Sequence, residues 1–379
     1  MQTSRVEGVR TWIEIDTKAI RHNYDQFRSL ISKETKLCGV VKSNAYGHGL
    51  VDFSRELEKL GVDMLAVDSV SEALRLRKEG IKTPLVVLGY TLPEKIKEAV
   101  QNDIAITISQ FETLREIEGI DLEKKLKIHI KVDTGMHRQG FLEEDSSCFI
   151  DTLKKLSLKI DVVGLFSHFA SANEPEQILF TEIQIKRLLA WKDVLNRVGF
   201  SFILHIGATS GVLGSKHAHF DMVRVGAGLY GIWPSLQVKE KAETQISLKS
   251  VLTWKAIISE IKKIPQGERV GYGLTEELVR DSIIAIIPIG YWHGFPRSLS
   301  GKGEVLVGGV RARVLGRVSM DMIVVDVTGI PKVKVLDEVV LIGKQGNEEV
   351  TPQEFALKVG SSAYEVVTRL NPLIKKIYQ

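Results

Sequence analysis

Two cysteines are all the chain has, Cys38 and Cys148, and they stand far apart in 379 residues. So sparse a supply excludes a disulfide framework and a cysteine-ligated metal cluster. Long apolar runs are missing as well. The longest, such as IIAIIPIGY, fall under a dozen residues, too short to cross a bilayer. Blocks of like charge are also lacking: 51 basic residues against 47 acidic ones leave a net +4 spread thinly along the chain. Nucleic acid is therefore not implied as a partner, and the Lys-rich stretches at 124–127 and 332–334 read as solvated faces. The N-terminal MQTSRVEGVRTWIEID has no apolar run between its charges and does not read as a signal peptide. A soluble, cytoplasmic protein without internal repeats or low-complexity tracts is the expectation.

What the chain does have is core material, with 44% hydrophobic and 26% charged residues and a mean hydropathy of +0.02. Single cores stop growing at roughly 250–300 residues, so two domains are expected. From residue 12 to about 230, short β-branched runs alternate with helix-sized polar stretches. The runs are LCGVVK (37–42), MLAVD (64–68), PLVVLGY (84–90), IAITIS (104–109), IHIKVD (128–133), VVGLFSH (162–168), FILHIG (202–207) and MVRVGAGLY (222–230). Nearly continuous apolar character marks strands buried on both faces of a parallel sheet. The intervening stretches, such as VDFSRELEKLG, repeat apolar residues at helical spacing and stop at glycine. Eight such units predict an α/β fold, a closed (β/α)8 TIM barrel over residues 1–240, with an open doubly wound sheet as the alternative. Beyond about residue 245, strand-like segments follow one another with Gly and Pro between them. They predict a C-terminal, predominantly β domain over 241–379.

A barrel carries its chemistry where strands end. The first strand ends in Lys42, followed by SNAYGHG. The fifth leads through Lys131 and Asp133 into TGMHRQG with Arg138. The sixth ends in His168, the seventh runs into GATSG with Ser210, and the eighth carries Arg224, then Gly226, Ala227 and Gly228. A lysine ending an apolar strand reads as a desolvated amine of lowered pKa, able to form a Schiff base, or as one that snorkels to solvent. His168 reads equally as a core histidine. The small-residue loops after strands seven and eight suit a phosphate, since backbone N–H groups can approach it closely. GATSGVLGSK lacks the GK[ST] ending of a nucleotide-hydrolysing P-loop. His217 and His219 have neither HExxH nor cysteine nearby and read as a surface loop rather than a metal site.

Seven motifs in order, VVKSNAYGHG, KVDTGMHRQG, FSHFASA, DMVRVGAGLYG, VGYG, IGYWHGFPR and RVSMD, make the chain resemble the alanine racemases. That resemblance implies a pyridoxal 5'-phosphate (PLP) enzyme, an isomerase that interconverts L- and D-alanine. Lys42 would carry PLP as a Schiff base. Tyr46, Ser210, Gly226, Ala227 and Tyr364 would hold its phosphate, Arg224 would face its pyridine nitrogen, Arg138 its phenolic oxygen, and His168 would lie beside the ring. Lys131, carboxylated in some members, would orient Arg138. Tyr272 would be the second acid/base opposite Lys42, made acidic enough by His168 and Arg224, although VGYG by itself reads as a hairpin turn. Arg138, Tyr291 and Met320 would contact substrate, the last two at the entrance. A homodimer with shared sites and a role in supplying D-alanine for peptidoglycan are implied in the same way. No metal is implied.

Some positions depart from the family pattern. His293 replaces the aspartate of a GYxDG motif, ATS at 208–210 replaces Ala-Asn-Ser, and Val225 replaces a proline. They leave serine or another small amino acid open as a substrate. A PLP decarboxylase of the same architecture and a non-catalytic PLP carrier are the rival readings. Arg224, where decarboxylases place an acidic residue, argues against the first, and the β domain bearing Tyr272 and Met320 argues against the second.

Overall fold

The computed structural model describes residues 7–172, 174 and 177–379, so residues 1–6 of the polar N-terminal stretch lie outside the description. Two compact units divide the chain. One is Lys18–Ala45 with Leu50–Lys249; the other is the N-terminal segment up to Thr17 with Tyr46–Gly49 and Ser250–Gln379.

The first unit is the parallel β/α barrel. Its eight strands are Lys36–Val40, Met64–Val67, Leu85–Val87, Ile104–Ile108, Leu126–Lys131, Ile160–Phe166, Ile203–His205 and Met222–Val225. Each overlaps one of the apolar runs, and neighbours pair in chain order. The first strand pairs with the eighth from Lys36↔Met222 to Gly39↔Val225. Between the seventh and eighth, Asp221 N–H donates to Leu204 O at 3.1 Å and Arg224 N–H to Gly207 O at 2.9 Å. These bonds bring the two ends of the sheet together, which an open doubly wound sheet would not do.

Burial follows the pattern that made the runs. Ile104–Ile108 is buried at every position. The helix Leu50–Lys59 buries Leu50, Val51, Phe53, Ser54 and Leu57, one face at helical spacing. Phe53 is stacked on Tyr230 at 4.3 Å between centroids, and Tyr230 Oη donates to Val40 O at 2.9 Å. Burying one such aromatic contributes about 1.5–3 kcal/mol, and here it also ties the exit of the eighth strand to the end of the first.

The second unit is mostly β. Its main sheet runs Glu260–Ile264, Ser282–Ile287, Ile323–Asp326, Val310–Leu315, Glu304–Val307, Glu338–Gln345, Leu252–Ile257, Thr11–Ile15, Lys375–Tyr378, with Glu348–Val350 paired to Glu338–Gln345. All neighbours along it are antiparallel except Thr11–Ile15 with Lys375–Tyr378. Thr11–Ile15 precedes the barrel in sequence but pairs here, with Ile13 opposite Trp254. Lys255 fixes that register, held between Glu14 at 2.9 Å and Glu338 at 3.3 Å. No helix among the described residues is long and apolar enough to cross a membrane.

Candidate active site

Lys42 follows directly on the first barrel strand, where Val41 N–H still bonds Ala66 O at 2.8 Å. The backbone then turns left-handed over Ser43, Asn44, Ala45 and Tyr46 (φ 56°, 57°, 51° and 50°) before Gly47. Such backbone costs an L-residue roughly 1–2 kcal/mol, so the surroundings must impose it. Ala45 N–H bonds Val41 O at 2.8 Å, Asn44 N–H bonds Glu72 Oε1 at 3.3 Å, and Asn44 Oδ1 accepts Leu50 N–H at 3.0 Å. Together they stop the strand sharply and leave Lys42 at its end.

Of the two readings of Lys42, the structure fits the one that reaches toward solvent rather than the desolvated amine. Its side chain is 38% exposed, and Nζ lies 3.6 Å from Asp68 Oδ1. The buried lysine is Lys131, 6% exposed, which donates to Gln139 Oε1 at 2.9 Å and lies 5.6 Å from the centre of the Phe166 ring. Burial, with Arg138, Arg224 and Lys42 as further positive charges, lowers its pKa to about 8. Arg138 itself is exposed.

Arg224 is 3% exposed and organises the centre of the barrel mouth. Its Nη2 donates to Ser167 O at 2.8 Å, Ile206 O at 3.2 Å and His168 Nδ1 at 3.3 Å, while Nη1 donates to His205 Nδ1. A guanidinium can only donate, so both imidazoles accept at Nδ1 and carry their protons on Nε2. His205 Nε2–H therefore donates to His129 Nδ1, 3.0 Å away. The proton of His129 is left on Nε2, a buried atom without a hydrogen-bond partner among the described residues. Burial first and Arg224 second hold these rings neutral: the pKa falls to about 3 for His168 and His129, and well below the ordinary value for His205. His168 is thus neutral, whereas the resemblance gives it a share in making Tyr272 acidic. Arg224 stays charged; burial lowers its pKa to about 10, still far above neutrality.

Of the loop residues, Ser210 sits on the short helix Thr209–Gly214, and Ala227 opens the turn Ala227–Tyr230. Thr209 Oγ1 accepts Gly226 N–H at 3.2 Å and Gly228 N–H at 3.4 Å, which joins the two loops. A cavity of about 270 Å³ is lined by Ser210, Gly211, Phe169 and Val238 but by none of Lys42, Lys131, His168 or Arg224. His219 is buried rather than part of a surface loop, with Nε2 3.1 Å from Val212 O.

In the β unit, the Tyr46 and Tyr364 rings lie 6.3 Å apart. Burial pushes the Tyr46 phenol up to about 12 and raises that of Tyr364, so both remain O–H donors. Tyr272 begins the turn Tyr272–Leu274 between Arg269–Val270 and Glu276–Glu277, flanked by Gly271 (φ 80°) and Gly273 (φ 73°). It is 72% exposed, Met320 54% and Tyr291 44%.

Several site residues escaped the sequence. Asp68 directly follows a strand, and the strand-end rule that found Lys42 applies to it too. His129 shares strand parity with Lys131, a signal that both point to one face of the sheet. Gln184 gave no signal: it lies mid-helix, yet it holds Thr134 Oγ1 and His168 O at 3.1 Å each and accepts Ala170 N–H at 3.0 Å.

The cluster has a surplus of positive charge. Lys42, Lys131, Arg138 and Arg224 face neutral imidazoles, while Asp68 pairs with Lys42 and Asp133 Oδ1 is taken up by the N–H groups of Gly135, Met136 and His137. An anionic ligand fits such a donor set.

Comparison with known proteins agrees with the motifs. The family described as "Alanine racemase, N-terminal domain" matches residues 15–234, and "Alanine racemase, C-terminal domain" matches 251–378. The chain belongs to the alanine racemase family. The alanine racemase of Methanococcus maripaludis is 38% identical over 97% of this chain and 98% of its own. That of Syntrophobacter fumaroxidans is 40% identical over 94% of each. Among solved structures, the alanine racemase of Bacillus anthracis with bound L-Ala-P has a TM-score of 0.93 at 31% identity, covering 99% of this chain and 96% of that one. The Clostridium difficile alanine racemase gives 0.91 at 33% identity, covering 99% and 97%. Alanine racemases are PLP-dependent isomerases, and the cationic barrel mouth fits the phosphate and phenolate of that cofactor.

Proposed function

We propose that this chain is a cytoplasmic alanine racemase, interconverting L- and D-alanine by two-base proton transfer and supplying D-alanine for peptidoglycan. The observation that carries the proposal is that the strand-end Lys42 and the buried Arg224 both act electrostatically on Lys131 and His168, with Arg224 itself held by neutral histidines. Bound there, PLP supplies a carbonyl that condenses with amines and a ring that takes up negative charge from Cα. Lys42 would hold it covalently. Tyr46, Ser210, Gly226, Ala227 and Tyr364 would hold its phosphate, with the two phenols as donors. Arg138 would meet the phenolic oxygen and the substrate, and Lys131 would orient Arg138.

Arg224 would donate to the pyridine nitrogen. Because a guanidinium keeps its proton near neutrality, Arg224 would offer that nitrogen a hydrogen bond but no proton, and so would limit how much negative charge the site draws from Cα. That would favour rapid return of the proton to Cα over decarboxylation or transamination. Lys42 Nζ would exchange the proton on one face of Cα and Tyr272 Oη on the other, as inversion requires. Tyr272 would come from a partner subunit of a homodimer, with Tyr291 and Met320 at the entrance.

The test is chiral analysis of purified holoenzyme after incubation with L-alanine and, separately, L-serine. D-alanine should form, and Lys42→Ala should lose both D-alanine formation and the visible absorption of lysine-bound cofactor. Cofactor absorption without a D-product from L-alanine would overturn the assignment.

A further inference from the structure

His293 is 6% exposed and lies inside the β unit, at the position where the sequence departs from the GYxDG motif of the resemblance. It closes the turn Tyr291–His293, whose preceding residue, Gly290, donates its N–H to His293 Nδ1 at 3.2 Å. That turn is clipped to a second segment. Tyr291 N–H bonds Ser319 O at 3.1 Å and Trp292 N–H bonds Met320 O at 3.0 Å. Approach is so close that a Cβ on Gly290 would lie 2.1 Å from Ser319 O. On the other side Asn371 donates to His293 O at 3.2 Å and to Trp292 O at 3.0 Å. The residues proposed for the substrate entrance, Tyr291 and Met320, thus sit on two segments joined around one imidazole.

The ring can serve two partners but not both. While neutral, Nδ1 accepts the Gly290 N–H, and the proton resides on Nε2. Once protonated, Nδ1 becomes a donor, and the acceptor within reach is Asp321 Oδ1 at 3.9 Å, next to Met320. The charged groups around it are few. Asp321 favours the proton, burial and Arg10 oppose it more strongly, and the net pKa is lowered. Arg369, beside Asn371, is paired with Glu365 at 2.9 Å. An aspartate here would keep accepting the Gly290 N–H down to about pH 4, whereas histidine does so only while neutral.

We propose that His293 is a positioning residue for the two segments bearing Tyr291 and Met320, and that proton uptake exchanges its Nδ1 partner from the Gly290 N–H to the Asp321 carboxylate. This rests on the assignment of Tyr291 and Met320 to the substrate entrance. The experiment uses full-length holoenzyme labelled with 15N-glycine and 13C-histidine, titrated from about pH 8 to about pH 5, across the ordinary histidine range. The Gly290 amide resonance should shift in step with the His293 ring. Over the same range KM for alanine should rise several-fold with a smaller change in kcat, and H293D should flatten that acid limb. A Gly290 amide that ignores the ring, or a ring that stays neutral throughout, overturns the inference. If the amide follows the ring while KM stays flat, the partner exchange stands and the entrance assignment falls.

Discussion

Among individual residues, the feature with the widest consequence is the set of neutral histidines behind Arg224. His129 and His168 have folded pKa values of about 3, against about 6.5 in an unfolded chain. As pH falls through about 6.5 the unfolded chain takes up these protons, and the fold does so only near pH 3. The stability they represent is therefore complete above pH 6.5 and is lost progressively below it. Each proton adds a slope of about 1.4 kcal/mol per pH unit. Thermal unfolding midpoints should be lower at pH 5 than at pH 7.5, with a shallower pH slope in His129→Gln. Equal slopes in the two proteins would mean that His129 is not held neutral.

At the level of elements, the barrel makes room for this chain of rings by omitting a side chain. Gly164, on the sixth strand, faces His129 so closely that a Cβ there would lie 2.0 Å from its Nδ1. The ladder with the fifth strand shifts register at the same place, between Ile128 and His129. Gly164→Ala should drive the ring off His205 and loosen Arg224. Overpacking of this kind costs typically about 1–3 kcal/mol. The loss should appear as a lower unfolding midpoint together with a changed absorption of bound cofactor. An unchanged cofactor spectrum would show that Gly164 serves packing alone.

For the molecule as a whole, the β unit leaves several large apolar side chains exposed. Tyr272, Leu274, Trp292, Met320 and Met322 are each more than half exposed. Large exposed apolar patches mark interaction sites, and the proposed homodimer would cover these side chains. A dimer that shares sites predicts complementation. Lys42→Ala and Tyr272→Phe, each inactive alone, should regain part of the activity when their subunits are mixed, because a hybrid contains one site with both groups intact. A mixture that stays inactive, or a fully active monomer by ultracentrifugation, would refute sharing.

Local pattern alone determined the barrel strands and the residues at their ends, because apolar runs and helical spacing are properties of neighbours in the chain; that the strands pair in chain order and close was decided by the fold. Lys42, Arg224 and the Gly226 loop were legible for that reason. Tertiary structure decided what depends on residues distant in sequence. It chose Lys131 rather than Lys42 as the buried amine, since desolvation is set by packing around Phe166. It holds the His168 ring neutral, by burial first and then by Arg224, 56 residues away. It also took Thr11–Ile15 into the β sheet, where the antiparallel partner Leu252–Ile257 and the ion pair from Lys255 hold it. Charge state and strand partnership follow from what surrounds a residue in space, and only the folded chain supplies that.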